Sequence, residues 1–380
     1  MNIGIDGRFA YAKNKRGIGS YSFNLLNEIL QNDLKNKYFI YLDSSNAETN
    51  LSCRKNVVVR TSSFSFYPFW EQLYVPICAR RDELDIFHSM GNTGPIYLRK
   101  TTKLILTIHD VMFLKSIKDI PLARNSRQCI GRFYRRVVCP LAAKKAAAII
   151  TVSKYSKHDI LKELKIKNQN VKVIYQGCSP VYVSGRIKKD NYFEEPFLLC
   201  FGADDPRKNT LNIIKGFLKA KNTYKIKEKL FICGYTNWNN SNCCKYVKDN
   251  NAESIVVNKG FIKDTILANL YLKATALLYL STYEGFGVPV IEAYFAGCPV
   301  VASNLTSIPE IGGKNGFYIE PLNIQKIATA IGKICLDQKL QGKLKKYGLR
   351  RAQKFLWPVL ARKTIKIYDD IYNKACQTEY

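Results

Sequence analysis

Residues 281–302, STYEGFGVPVIEAYFAGCPVVA, set two carboxylates, Glu284 and Glu292, around a glycine turn and the start of a helix. Ahead of them, ALLYLS (276–281) is a short apolar run of strand character. After the glycines, Pro289 suits the first turn of a helix and Gly297 its C′ position, and CPVVAS reads as the following strand. In such a strand–turn–helix–strand unit, Gly285 and Gly287, flanking Phe286, let the backbone approach a ligand. The free N–H groups of a helix opening at Val288 point at any anion held there. The pattern is that of a phosphate site. Glu284 leads the turn and Glu292 falls in the early helical turns, so both can face one pocket from different heights. Taken singly, Glu292 would merely complement the helix dipole and Glu284 would be a solvated turn residue. Acids beside an anion site acquire a purpose when the ligand also carries hydroxyl donors, as a sugar does.

Outward from this unit, both halves of the chain alternate strand and helix. NIGID, KYFIYLD, DIFHS, KLILTIHD, AAAIITVS and VKVIY read as strands of the first half; SYSFNLLNEIL is a helix with Phe23, Leu26 and Leu30 on one face. PFLLCFG, KLFICG, SIVVNKG, ATALLYLS and CPVVAS continue the series in the second half. Such repetition specifies parallel sheets covered by helices, and a chain of 380 residues exceeds what one core usually serves. The expected division is a first domain over residues 1–182, a second over 183–358, and a helix over 359–380. The polar, turn-rich SPVYVSGRIKKDNYFEEP near residues 180–195 is the linker.

Three further clusters sit at predicted strand ends. Gly202 opens FGADDPRKN, where Arg207 and Lys208 precede the helical pattern TLNIIKGFLKA and can neutralise two phosphates, with Asn209 or Thr210 as helix cap. Outside that context the pair would be an exposed basic loop. His109 and Asp110 end LILTIHD at the carboxyl edge, where parallel sheets bind ligands; a buried structural histidine is the plainer alternative. His88, in DIFHSMGNTGP, also follows a strand and is a candidate for the acceptor side, whereas His158 suits a solvated helix face. RGIGSY supplies Gly17 and Gly19 but Ser22 where a dinucleotide fingerprint needs a third glycine. With Asp43 ending the next strand, a dehydrogenase competes here, although nothing downstream supplies hydride-transfer chemistry.

The motif E-G-F-G-x-P-x-x-E-A-x-x-x-G-x-P-V-V over 284–301 resembles the signature of retaining, nucleotide-sugar-dependent glycosyltransferases of family 4. G-x-x-x-P-R-K-N, TIHDV, GIGSY, TVSKYS, ASNLTSIPEIGG and GFYIEP extend the resemblance across most of the chain. It implies the GT-B architecture: two doubly wound, Rossmann-like α/β domains facing across a cleft, the acceptor on the N-terminal side, the donor on the C-terminal side, and a final helix crossing back. By the same resemblance Glu284 holds sugar hydroxyls, Glu292 the ribose, and His109 the sugar from the first domain. Arg207 and Lys208 stabilise the diphosphate, and the Gly17–Gly19 loop approaches the donor. One departure is Ala203, where many members carry arginine; Arg207 is expected to take over that charge. The D-G-R start and P-R-K-N loop look most like bacterial mannosyltransferases of surface-polysaccharide assembly. GDP-mannose is therefore the expected donor, with UDP-sugar transfer or a GT-B epimerase as the enzymatic alternatives.

Composition bounds the partners. The net charge of +29 is spread over both halves and suits anionic substrates, an anionic membrane surface or nucleic acid. No nucleic-acid motif accompanies it. Residues 124–145 carry seven basic residues and no acid, with Ile130, Phe133 and Val137 at helical spacing. Arg132, Arg135 and Arg136 are thus expected to dock on anionic lipid beside a lipid-linked or glycan acceptor; the alternative is a basic face packed on the sheet through its apolar side. The twelve cysteines are scattered without a Cys-x-x-Cys pair, as free thiols of a cytoplasmic protein would be. No apolar run reaches membrane-spanning length, no signal-peptide pattern opens the chain, and no metal or cofactor is expected.

Overall fold

The computed structural model describes residues 1–12, 17–43, 51, 54–64, 66–115, 126–182 and 195–377. It divides into two compact units, Met1–Gly177 with Leu356–Tyr380, and Cys178–Phe355. The first boundary lies five residues before the expected 182/183, because the turn Pro180–Tyr182 belongs to the second unit, with Tyr182 edge-on to Tyr271 at 5.8 Å. The second lies at 355/356 rather than 358/359: Trp357 opens the final helix, Trp357–Gln377, and its ring fills the space over Gly177. Most of the expected linker, 183–194, lies outside the described residues.

The first unit holds a seven-stranded parallel sheet: β1 (Asn2–Asp6), β2 (Lys37–Leu42), β3 (Val57–Thr61), β4 (Ile86–Ser89), β5 (Lys103–Thr107), β6 (Ala148–Thr151) and β7 (Val171–Val173), in the order β3-β2-β1-β4-β5-β6-β7. The second holds six: β8 (Phe197–Phe201), β9 (Lys229–Cys233), β10 (Val256–Gly260), β11 (Ala276–Tyr279), β12 (Val300–Ser303) and β13 (Phe317–Ile319), in the order β10-β9-β8-β11-β12-β13. Central strands such as FLLC and ALLY are buried throughout, as parallel strands covered on both faces must be. Strand order reverses between β1 and β4 in one sheet and between β8 and β11 in the other. Outside the carboxyl ends at such reversals, doubly wound sheets leave a crevice for ligands.

In the first unit the helix Ile18–Asn32 buries Tyr21, Leu25, Leu26, Ile29 and Leu30, so Leu26 and Leu30 of the expected face are buried and Phe23 stays partly exposed. The final helix packs along this helix, returning the chain to the first unit. His88 is wholly buried and joins the two levels, its Nδ1 2.7 Å from Tyr368 Oη and its Nε2 2.8 Å from Thr107 Oγ1. It is a structural pin with no surface to offer an acceptor, contrary to its sequence reading. Burial pushes its pKa down to about 3, with His109 adding to the shift.

Candidate functional site

In the second unit three loops meet beyond the carboxyl ends of the adjacent strands β8, β11 and β12. The loop after β8 forms a turn at Pro206–Lys208, started by Asp205, whose Oδ1 accepts from the Arg207 backbone N at 3.0 Å. The same carboxylate takes Arg207 Nε at 3.0 Å and a guanidinium Nη, so Arg207 is folded back onto its own turn. The next loop is tied to this one: Thr282 N donates to Arg207 O at 2.9 Å, and the Asn209 side-chain amide donates to Leu280 O at 3.1 Å and Pro321 O at 2.6 Å. Asn209 stands at the N-cap position of the helix Thr210–Tyr224, but its Oδ1 accepts from the Asn212 side-chain amide at 2.8 Å instead of a first-turn backbone N–H, and Thr210 is the helix's first residue. Gly202 is required by packing, since a Cβ there would lie 2.5 Å from Ile232 and 2.8 Å from Tyr235.

These ties bring Lys208 Nζ to 2.7 Å from Glu284 Oε1. Glu284 is further held by its backbone N, which donates to Thr306 Oγ1 at 3.2 Å, and by Ser307 Oγ, which donates to the carbonyls of Glu284 and Phe286 at 2.9 Å each. Burial works to raise the Glu284 pKa, but the Lys208 ammonium and hydrogen bonds from Lys208, Tyr279 and Ser281 outweigh it, and the carboxyl is held below its usual range. Glu284 is thus an ionised acceptor fixed in place, not a solvated turn residue. Gly285 and Phe286 follow, the phenylalanine buried edge-on to Phe355. Gly287 then takes φ 103°, a left-handed value that disfavours a side chain, and the helix Val288–Phe295 begins. Having no side chain, Gly287 leaves the first-turn amides at Val288 uncapped by it, and an anion can take them.

Glu292 sits one turn further along that helix and accepts a 3.0 Å hydrogen bond from Tyr271 Oη. Burial pushes its pKa up to about 8; the Tyr271 bond opposes the shift and the charge of Asp264 adds to it. Near neutral pH the carboxyl is largely protonated before any ligand arrives. The two acids of the opening motif are therefore electrostatically opposite, Glu284 anionic and Glu292 neutral.

In the first unit His109 follows β5. Its Nε2 lies 3.0 Å from Met90 O, so that nitrogen must carry the proton and Nδ1 remains the acceptor. Its backbone N donates to Asn92 Oδ1 at 2.7 Å, Ser156 Oγ donates to its carbonyl at 2.9 Å, and Tyr21 packs edge-on at 4.6 Å. Burial lowers its pKa to about 4, so the ring is neutral at working pH. Asp110 accepts from Met112 N at 3.1 Å and shapes the turn that follows. Gly17 takes φ 50° at the start of the Ile18–Asn32 helix, and Gly19 is buried within it.

Both histidines enter the folded state neutral although their ordinary pKa is near 6.5. The unfolded chain therefore binds more protons below that value, and stability present above pH 6.5 is lost as pH falls toward 4. Urea unfolding at pH 7.5 and pH 5 should differ by roughly 2 kcal/mol per histidine, and His88→Gln should remove its share of the slope. Glu292, with its pKa raised to about 8, works in the opposite direction over the same range, so the reading is the difference between proteins: a pH slope identical in wild type and His88→Gln would show that the His88 ring is not held neutral.

Sequence reading missed a second cluster in the first unit. Arg8 pairs with Asp6, its Nη2 2.7 Å from Oδ2, and lies 3.6 Å from the ring centre of Trp70. The same nitrogen stands 3.6 Å from fully buried Glu71, whose carboxylate also accepts from Tyr67, Thr93 and Tyr134. The available signal was the charged pair in DGR followed by an acid within the aromatic run YPFWEQLY. The expected lipid-facing arginines are corrected too: Arg132 is buried, donating to Phe113 O and Lys115 O, Arg136 donates to Leu114 O and Lys115 O, and the Arg135 guanidinium lies 6.0 Å from the Phe113 ring centre.

Two parallel sheets, each with polar groups gathered at its reversal point, have the GT-B type of architecture. The family model described as Glycosyltransferase Family 4 matches residues 16–181 and that described as Glycosyl transferases group 1 matches 185–351. The chain belongs to glycosyltransferase family 4. It is 27% identical to O-antigen chain mannosyltransferase B of Escherichia coli over 59% of this chain and 60% of that protein. It is 28% identical to O-antigen chain mannosyltransferase RfbU of Salmonella typhimurium over 61% of this chain and 65% of that protein. The alignments thus span under two thirds of either relative. Sucrose-phosphate synthase from Thermosynechococcus elongatus shares the fold with a TM-score of 0.71 at 17% identity, over 98% of this chain and 100% of that one.

Proposed function

We propose that this chain is a retaining glycosyltransferase that moves a hexose from a nucleotide diphosphate sugar, GDP-mannose in the first instance, to a lipid-linked or polysaccharide acceptor. The observation that carries the proposal is the Lys208–Glu284 pair fixed beside the uncapped helix end at Gly287–Val288. A lysine and helix amides neutralise a diphosphate, while the ionised carboxylate accepts from sugar hydroxyls. Arg207 supplies a second cation once it exchanges Asp205 for phosphate, Glu292 receives the ribose, and His109 and the Gly17–Gly19 loop belong to the sugar side. The bond from the anomeric carbon to phosphate breaks, and the acceptor oxygen bonds that carbon on the same face. The acceptor proton leaves with the diphosphate. Neutralisation is assigned to protein cations and amides, so no resident metal or cofactor enters this reading. The mannosyl choice draws on the names of the relatives; the enzyme would work in the cytoplasm, peripheral to the membrane that carries its acceptor.

Labelled GDP-mannose and a panel of UDP-sugars, each with and without lipid-linked acceptor, test the reading. Label entering the acceptor from one donor supports it and identifies that donor. Conversion without acceptor would indicate an epimerase. A bound donor present at 100 times its Kd stabilises the fold by about 2.7 kcal/mol, so a panel that leaves Tm unmoved would overturn the nucleotide-sugar site altogether.

Ribose hydroxyls favour the ionised form of Glu292, so donor binding should release a proton from a carboxyl whose free pKa is about 8. Donor affinity should accordingly rise with pH between 7 and 9 and level off above, whereas Glu292→Gln should bind more weakly and lose that dependence. Calorimetry in buffers of different ionisation enthalpy reads the proton directly.

A further inference from the structure

The helix Ser126–Lys145 is oriented opposite to its expected docking mode. Arg132 and Arg136 turn inward to backbone carbonyls, and Ile130, Phe133, Val137 and Leu141 form its outer face, with Phe133 71% exposed and Ile130 64% exposed. The helical segment from Tyr67 to Arg81 does the same with Phe69, Leu73 and Ile77, the last 68% exposed, and Phe66 continues the row at its start. The two segments are joined by Tyr134, which donates to Glu71 at 2.7 Å, takes the Gln72 amide at 3.0 Å and stacks edge-on with Tyr67 at 5.1 Å. Each row spans about three turns at i, i+3, i+4 spacing, the arrangement that ordinarily faces a core. Here it faces outward from two neighbouring helices, and apolar clusters of that size on a surface mark an interaction site.

We infer that these paired apolar rows are a membrane-docking surface that inserts into the interfacial region of a bilayer containing anionic lipid. Charge selects that occupant. The only acid within residues 66–81 or 126–145 is Glu71, and it is buried. Each row ends in a basic pair, Arg80–Arg81 and Lys144–Lys145, and Lys145 Nζ lies 3.9 Å from the ring centre of Tyr97, an exposed aromatic with its own polar tip. Apolar side chains ending in cations and an amphipathic aromatic suit the acyl–headgroup boundary. A second copy of this chain fits poorly, because pairing the two faces would bring like basic rims together on a protein of net charge +29. Insertion differs from electrostatic docking through Arg132, Arg135 and Arg136: the apolar rows do the holding, and cations outside the helix core select the lipid.

The inference does not rest on the sugar-transfer reading, since its test contains neither donor nor acceptor. The full chain is sedimented with phosphatidylcholine vesicles with and without phosphatidylglycerol. Wild type should bind the anionic vesicles and keep part of its binding in high salt. Replacing Phe69, Leu73, Phe133 and Val137 together by Gln should lower partitioning by roughly tenfold or more at every salt concentration, with an unchanged melting temperature because all four are exposed. Gln at Arg80, Arg81, Lys144 and Lys145 should weaken binding at low salt only. Phe133→Trp supplies a readout on an otherwise intact surface: its emission should shift to the blue on adding anionic vesicles and be quenched by brominated lipid. Unchanged binding by the Gln variant, an unshifted emission from Phe133→Trp, or a wild-type chain that ignores vesicles and captures an acidic protein or a second copy would each overturn the inference.

Discussion

Glu284→Ala is expected to lower turnover by roughly 100-fold or more, because the residue that orients the reacting sugar is lost. The residue is pinned at three points: its carboxylate by Lys208 at 2.7 Å, its backbone N by Thr306, and its backbone carbonyl by Ser307. Such restraint fits a group that must meet a ligand in one geometry. The variant also strands Lys208 in a partly buried site, so a stability loss of about 1–3 kcal/mol should accompany the kinetic one. Glu284→Gln separates the two effects, since it keeps the shape and an acceptor oxygen while removing the charge. It should be at least as stable as the Ala variant, yet remain strongly impaired. The measurement is single-turnover transfer at saturating donor, beside urea unfolding of each variant. Transfer within a few-fold of wild type in Glu284→Ala would remove this residue from the mechanism.

The sequence disclosed the second unit more fully than the first, for a physical reason. Around Gly285–Gly287 and Gly202, local chemistry is dictated by backbone: a left-handed φ at Gly287 and the closeness of Ile232 and Tyr235 to Gly202 leave little choice of residue, so spacing alone exposes the turn. Strands such as FLLCF and KLILT were legible because burial on both faces demands continuous apolar runs. β3 and β13, VVVRT and FYI, went unread; both are half-buried edge strands, as are β7 and β10, which were read from VKVIY and SIVVNKG. The direction of the Ser126–Lys145 helix was illegible. Its apolar row has the spacing of a core face, and only the carbonyls of Phe113, Leu114 and Lys115, which accept from the arginines, explain why those side chains turn inward instead. His88 and His109 looked alike as strand-end histidines; what separates them is Tyr368 from the returning final helix, far away in sequence. In the Asp6–Arg8–Glu71 cluster the DGR pair and the acid in YPFWEQLY were each visible, but they are widely separated along the chain, and only the folded chain brings Glu71 to 3.6 Å from Arg8.

Lys208→Ala and Arg207→Ala should each weaken diphosphate stabilisation in the transition state by roughly 2–4 kcal/mol, the range seen when a positioned donor is removed from a developing anion. The two need not behave alike. Lys208 already faces Glu284, so its removal also takes away the ammonium that keeps the Glu284 pKa low, leaving burial to push that pKa upward. Transfer by Lys208→Ala should then acquire an acidic limb, falling as pH drops into the range where Glu284 protonates, while wild type stays flat there. Arg207 is folded on Asp205, and phosphate must win it from that carboxylate. Asp205→Asn should consequently tighten donor binding while Arg207→Ala loosens it, and the two changes should not add. Pairing Lys208→Met with Glu284→Gln provides the decisive arm. If the pair served only to hold the two loops together, removing both charges at once would restore stability and transfer together. If the pair works on the ligand, stability should recover in the double variant and transfer should not. Donor hydrolysis and binding at wild-type levels in both single variants would place the diphosphate elsewhere.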